Sequence, residues 1–126
     1  MTPIPKLDDK PLFWVGSAKK DLLAFPEAAV NDFGYALGLV QQGGMPPAAK
    51  PWKGEGPGVF ELAEEKMGDA FRVAYTVRFR KAVYVLHCFQ KKSPSGIRTA
   101  KSDVELVGER LKLARADYEV RYGKNA

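Results

Sequence analysis

The chain has 126 residues, 45% of them hydrophobic and 28% charged, which suits one globular domain with one core and excludes disordered and fibrous classes. A single cysteine, Cys88, and a single histidine, His87, exclude an internal disulfide, a structural zinc site and two-histidine metal motifs. The net charge of +5 is unevenly spread: residues 70–101 hold eight Lys or Arg and no Asp or Glu.

The start, MTPIPKLDDKP, carries no apolar stretch behind a basic one, so a secretory signal is not expected. Leu12–Val15, between Pro11 and Gly16, reads as a short buried strand. Ser17 is expected to cap a short helix whose Ala18, Leu22 and Phe25 share a face. Pro26 suits the opening of a second helix, with Val30, Phe33, Leu37 and Val40 on its apolar stripe and Gly43-Gly44 as the stop. Residues 43–58 contain five Gly and four Pro, too many for a helix or a sheet ladder, and predict a loop carrying Lys50, Trp52 and Lys53.

Three strands are expected next. The first is Val59–Glu65. In Phe71–Arg80, Phe71, Val73, Tyr75, Val77 and Phe79 face one way and Arg72, Ala74, Thr76, Arg78 and Arg80 the other. Val83–Phe89 is continuously apolar around His87, which suits a central strand covered on both faces. This run is far below the roughly 18 residues that span a bilayer. Short separations favour antiparallel hairpins. Ser102 and Glu105 have capping-box spacing before a last helix with Val104, Val107, Leu111, Ala114 and Tyr118 in one stripe. The order β-α-α-β-β-β-α predicts an α+β fold in a single domain over residues 1–126. Its sheet is expected to be mainly antiparallel, of three or four strands. Two N-terminal helices pack on one face and a long C-terminal helix completes the fold.

A basic block can serve solubility alone, but the acid-free stretch over 70–101 favours a polyanion, and nucleic acid is the usual one. KPWKGEGPGVFEL, DAFRVAYTV, VYVLHCFQKKSPSGI and VELVGERLKLA, in that order, resemble the RelE/ParE toxin superfamily, and its HigB-like, phage-derived branch in particular. The resemblance runs from about Lys10 to Ala116. It implies the same β-α-α-β-β-β-α fold and a small cytoplasmic toxin of a type II toxin–antitoxin module. It further implies metal-independent cleavage of messenger RNA on the ribosome, with no cofactor. The implied partner is an antitoxin with a helix-turn-helix DNA-binding domain, through which alone the toxin meets operator DNA; no membrane is involved. The family often writes Glu-Leu-Arg where this chain has Glu61-Leu62-Ala63, which removes a cation expected beside the scissile phosphate. The tail over 117–126 lies beyond the resemblance.

RNA cleavage by its own 2′-hydroxyl needs a base for that hydroxyl, cations for the phosphorane charge and an acid for the leaving 5′-oxygen. Arg72, with a guanidinium able to bond two phosphate oxygens, is the expected clamp. His87 is the expected acid or base, since histidine titrates near neutrality, although a lone histidine in an apolar strand is also a common structural residue. Lys91 joins them as a catalytic candidate. Lys53, Arg78, Phe89 and Lys92 are the expected RNA contacts, Phe89 by stacking on a base from the face it shares with His87. Tyr75 belongs with the core, and Cys88, on the opposite face from His87, reads as a small buried hydrophobe. Two other functions stay open: a ParE-like gyrase inhibitor, and a degenerate toxin that acts mainly as co-repressor with its antitoxin.

Overall fold

The computed structural model describes residues 9–91 and 99–126. Eight elements follow in order: β1 (Leu12–Trp14), α1 (Ala18–Leu23), α2 (Glu27–Gln41), β2 (Ala49–Pro51), β3 (Val59–Lys66), β4 (Asp69–Thr76), β5 (Val83–Lys91) and α3 (Lys101–Tyr122). The five strands form one sheet in the order β1-β5-β4-β3-β2. Only β1 runs parallel to its neighbour, β5; the other three pairings are antiparallel.

Apolar residues cover both faces of this sheet. On one face Ala18 and Leu22 of α1, with Ala29, Phe33, Leu37 and Val40 of α2, pack on Leu62, Phe71, Val73, Tyr75, Val83, Val85 and Cys88. On the other, Val107, Leu111, Ala114 and Tyr118 of α3 pack on Val59, Ala74, Tyr84, Leu86 and Phe89. The α+β architecture, the two N-terminal helices on one face and the long last helix are as the residue pattern predicts. Among the described residues no helix is long and apolar enough to cross a membrane.

Several local features depart from the pattern. The Gly/Pro segment contributes β2 as a fifth strand, because an edge position tolerates Pro51, which has no N–H to give. β4 ends at Thr76 rather than running to Arg80. The Thr76 hydroxyl donates to the Gly58 carbonyl (2.8 Å) and accepts from the Arg78 amide (3.1 Å), which turns the chain there. Phe79 therefore leaves the Phe71 face and packs with Tyr84 and Tyr118 under α3. The capping box does not form: α3 starts at Lys101, so Ser102 lies inside the first turn, and Val104 is 37% exposed instead of buried. The segment beyond the resemblance is part of the fold, because α3 continues to Tyr122 and Tyr118 stacks on Phe79.

A further departure aims the candidate histidine. Tyr75 lies opposite Val85 and Ala74 opposite His87, so Leu86 is the extra residue of a β-bulge. With unbroken period-two alternation His87 would share a face with Val83 and Val85. The bulge moves it, and Phe89 after it, to the α3 face, while Cys88 turns toward α1 and α2. Arg110 of α3 braces this point, donating from Nη1 to the Leu86 carbonyl (3.0 Å) and from Nη2 to Ser17 Oγ (3.0 Å). Ser17 thus stands at the N-cap position without capping; its hydroxyl donates to Asp21 (2.7 Å).

Candidate functional site

The α3 face of the sheet is apolar toward β1 and charged toward β2. Period-two alternation brings Lys50 of β2, Glu61 and Ala63 of β3, Arg72 of β4 and Lys91 of β5 to that face. There a cleft of about 520 Å³ opens, lined by Lys50, Pro51, Trp52, Lys53, Glu61, Lys91, Thr99 and Val104. Lys50 Nζ lies 3.3 Å from Glu61 Oε1. Lys53 and Lys91 have no ion pair among the described residues. The cleft therefore holds three cations against one carboxylate, a surplus that favours a polyanion at close range.

Arg72 adjoins the cleft through Glu61 without lining it. It is only 9% exposed, its Nη1 donates to the Phe71 carbonyl (3.1 Å), and its Nε lies 3.8 Å from Glu61 Oε1. In register it stands opposite Ala63 on one side and Phe89 on the other. An arginine at position 63 would sit beside it as a second cation; alanine leaves that space apolar.

Trp52, 5% exposed, forms a back wall and meets Phe89 edge-to-face at 6.2 Å. Phe89 in turn stacks on His87 at 4.7 Å. Phe89 is thus enclosed between two rings, not presented to solvent. His87 Nε2 lies 2.7 Å from Asp103 Oδ1 at the start of α3, and His87 Nδ1 is buried with no partner among the described residues. Trp52 Nε1 is likewise buried without a partner there. The His87–Asp103 contact ties β5 to the helix turn that carries Val104, one wall of the cleft.

The remaining expected contacts divide. Lys53 and Lys91 share the cleft, and Arg72 meets it only through Glu61. Arg78 lies elsewhere: because β4 ends before it, its guanidinium turns onto the Gly/Pro loop and donates to the carbonyls of Pro57 (3.0 and 3.1 Å) and Glu55. It braces the loop that presents Lys53. Lys92 lies outside the described residues. The residue pattern missed Glu61 as a site member, Asp103 as the partner of His87, and Thr99 and Val104 as cleft walls. None of these carried a readable signal: the register of Glu61 opposite Lys50 depends on β2, which the Gly/Pro-rich pattern reads as loop.

Burial pushes the Cys88 thiol up to about 12, so this side chain behaves as an inert hydrophobe. Among the described residues no three His, Cys, Asp or Glu side chains gather as metal ligands would.

No match to the chain arises among curated proteins or among solved structures. Residues 20–112 match the family described as Phage derived protein Gp49-like (DUF891). That span runs from α1 into α3 and takes in every cleft-lining residue. The chain belongs to the phage-derived Gp49-like family.

Proposed function

We propose that the protein is the toxin of a type II toxin–antitoxin module and acts in the cytoplasm as a metal-independent endoribonuclease on ribosome-bound messenger RNA. The observation that carries this reading is the cleft itself, which Lys50, Lys53 and Lys91 line together with Glu61, the carboxylate that Arg72 approaches. Membership of a phage-derived family agrees with it, as does the RelE/HigB resemblance of the motifs.

In this reading Arg72, Lys53 and Lys91 hold the charge that builds on the scissile phosphate. Fixed donors do this at no reorganisation cost. The geometry favours His87 as a strut, because neither ring nitrogen faces the cleft: one meets Asp103 and the other is enclosed. Phe89 then supports the Trp52 wall, and Lys92 is proposed as an RNA contact on its charge alone. The antitoxin, a helix-turn-helix protein, would silence the cleft by covering it with an acidic segment.

The test is direct. Induced expression should arrest growth. The purified protein should cut messenger RNA in programmed ribosomes with chelator present, leaving a 2′,3′-cyclic phosphate and a 5′-hydroxyl. The product of an adjacent helix-turn-helix gene should copurify and block cutting. Intact messenger alongside inhibited DNA supercoiling would replace this reading by the gyrase-inhibitor one.

A further inference from the structure

Cleavage by an internal 2′-hydroxyl requires a proton acceptor, and an ammonium or guanidinium at neutral pH cannot accept one. Among the cleft-lining residues the carboxylate is Glu61. It is held in place from two sides, by Lys50 Nζ at 3.3 Å and by Arg72 Nε at 3.8 Å, both approaching the same oxygen, Oε1. That leaves Oε2 without a partner among the described residues, on a side chain 13% exposed at the cleft. A carboxylate fixed through one oxygen and open through the other has the form of an oriented base.

The register adds direction. Glu61 lies on β3 and Lys91 on β5, with β4 and its Arg72 between them. A phosphate seated in the cleft between β3 and β5 would therefore have the carboxylate on one side and an ammonium on the other, as an in-line displacement requires.

Resting on the RNA-cleaving reading above, we infer that Glu61 is the general base of the reaction, with Lys91 as its acid. The Glu61 carboxylate takes the 2′-hydroxyl proton. The 2′-oxygen forms a bond to phosphorus as the bond from phosphorus to the 5′-oxygen breaks, and the Lys91 ammonium gives that oxygen its proton. The products are a 2′,3′-cyclic phosphate and a 5′-hydroxyl, and one proton then returns from Glu61 to Lys91 through solvent.

The experiment is single-turnover cutting of a short messenger in programmed ribosomes by wild type, Glu61→Gln, Glu61→Ala, Glu61→Asp and, as control, Lys112→Ala on the exposed side of α3. Glu61→Gln should cut at least about 10²-fold more slowly, the usual worth of a general base. It should still bind a messenger blocked by 2′-O-methyl groups within threefold of wild type. Formate, a small base that can enter the vacated space, should speed Glu61→Ala at least tenfold. Lys112→Ala should match wild type. Cutting by Glu61→Gln within threefold of wild type overturns the assignment, and so does a slow Glu61→Ala that formate leaves unchanged, which would make Glu61 a tether for Lys50 and Arg72. If melting curves show that Gln and Ala do not fold, Glu61→Asp decides. A base withdrawn by one methylene must slow cutting more than tenfold without weakening binding, and an Asp variant as fast as wild type overturns the proposal. Wild type that cuts nothing fails the underlying reading instead, before any variant is compared.

Discussion

Under the C-terminal half of α3, charges satisfy one another. Tyr84 donates to Asp117 Oδ2 (2.6 Å), Arg121 Nε lies 2.7 Å from the same oxygen, and the Arg121 guanidinium sits 4.0 Å from the Phe13 ring centre. Under the N-terminal end, Lys50, Lys53 and Lys91 line one cleft with a single carboxylate, Glu61, which pairs with Lys50 and leaves Lys53 and Lys91 without an ion pair among the described residues. Both regions lie on the same face of the same sheet, so the contrast concerns partners and not exposure alone. A closed network of opposite charges is what stability favours. An unbalanced cluster of like charges costs self-repulsion and is recovered only when an anion arrives. The unbalanced end is the one to expect work from.

The largest effects should come from that end. Lys91→Ala and Lys53→Ala should each lower messenger cutting by about 10²-fold while leaving the melting temperature within a few degrees, since Lys53 is exposed, Lys91 half-buried, and neither has an ion pair to lose among the described residues. Arg72→Ala should do both kinds of damage. Its guanidinium is buried against Glu61 and the Phe71 carbonyl, so denaturant titration should show a loss of about 1–3 kcal/mol besides the loss of cutting. Arg78→Ala should cost about 1.5–3 kcal/mol, because a charged donor leaves the Pro57 and Glu55 carbonyls.

The balanced end should respond through stability and pH. Tyr84→Phe removes one hydrogen bond, worth about 1 kcal/mol. It also removes the leading cause that holds the Asp117 carboxyl below its ordinary value of 3.8, Arg121 being the next and burial acting against both. A depressed carboxyl stabilises the fold above its unfolded value and loses that contribution as pH falls through the folded one. Wild type should thus lose more stability than Tyr84→Phe between neutral pH and the acid side of 3.8, in acid titrations followed by circular dichroism. A smaller gain is expected far from either end. Met67, fully exposed, has φ of 53° in the two-residue turn between β3 and β4, beside Gly68 at 85°. This is the geometry of a type I′ turn, where asparagine or glycine is favoured over a side chain that crowds the left-handed region. Met67→Asn should raise stability by about 1 kcal/mol in thermal melts.

How far the residue pattern carries can be judged from β4 and β5. Alternation over Phe71–Thr76 was legible because it records burial on one face, and the stripe of α3 was legible from Val107 to Tyr118 for the same reason. What alternation cannot express is where it stops. The turn at Thr76 depends on a hydroxyl reaching Gly58, eighteen residues earlier in sequence, and it decides that Arg78 braces a loop instead of facing the cleft. The bulge at Leu86 is held by Arg110 from α3, a contact that no local pattern announces, and it decides which face His87 and Phe89 occupy. For the site, Arg72, Lys91 and Lys53 are readable as candidates from charge and motif, but Glu61 and the way the strands bring these side chains together are not. Of the acid-free block, Lys91 lines the cleft and Arg72 reaches it through Glu61, while Lys50, Lys53 and Glu61 come from the segment before it. Sheet pairing, not sequence proximity, assembles them.

The contrast between the two ends reduces to one comparison of double variants. Lys53→Ala/Lys91→Ala removes two cations from the cleft, and Arg80→Ala/Lys112→Ala removes the same charge from exposed positions outside its lining. Single-turnover cutting of a messenger in programmed ribosomes should fall at least about 10²-fold for the first and stay within twofold of wild type for the second. Equal losses in the two variants would contradict the account, because net charge would then govern activity and the cleft would have no special part in it.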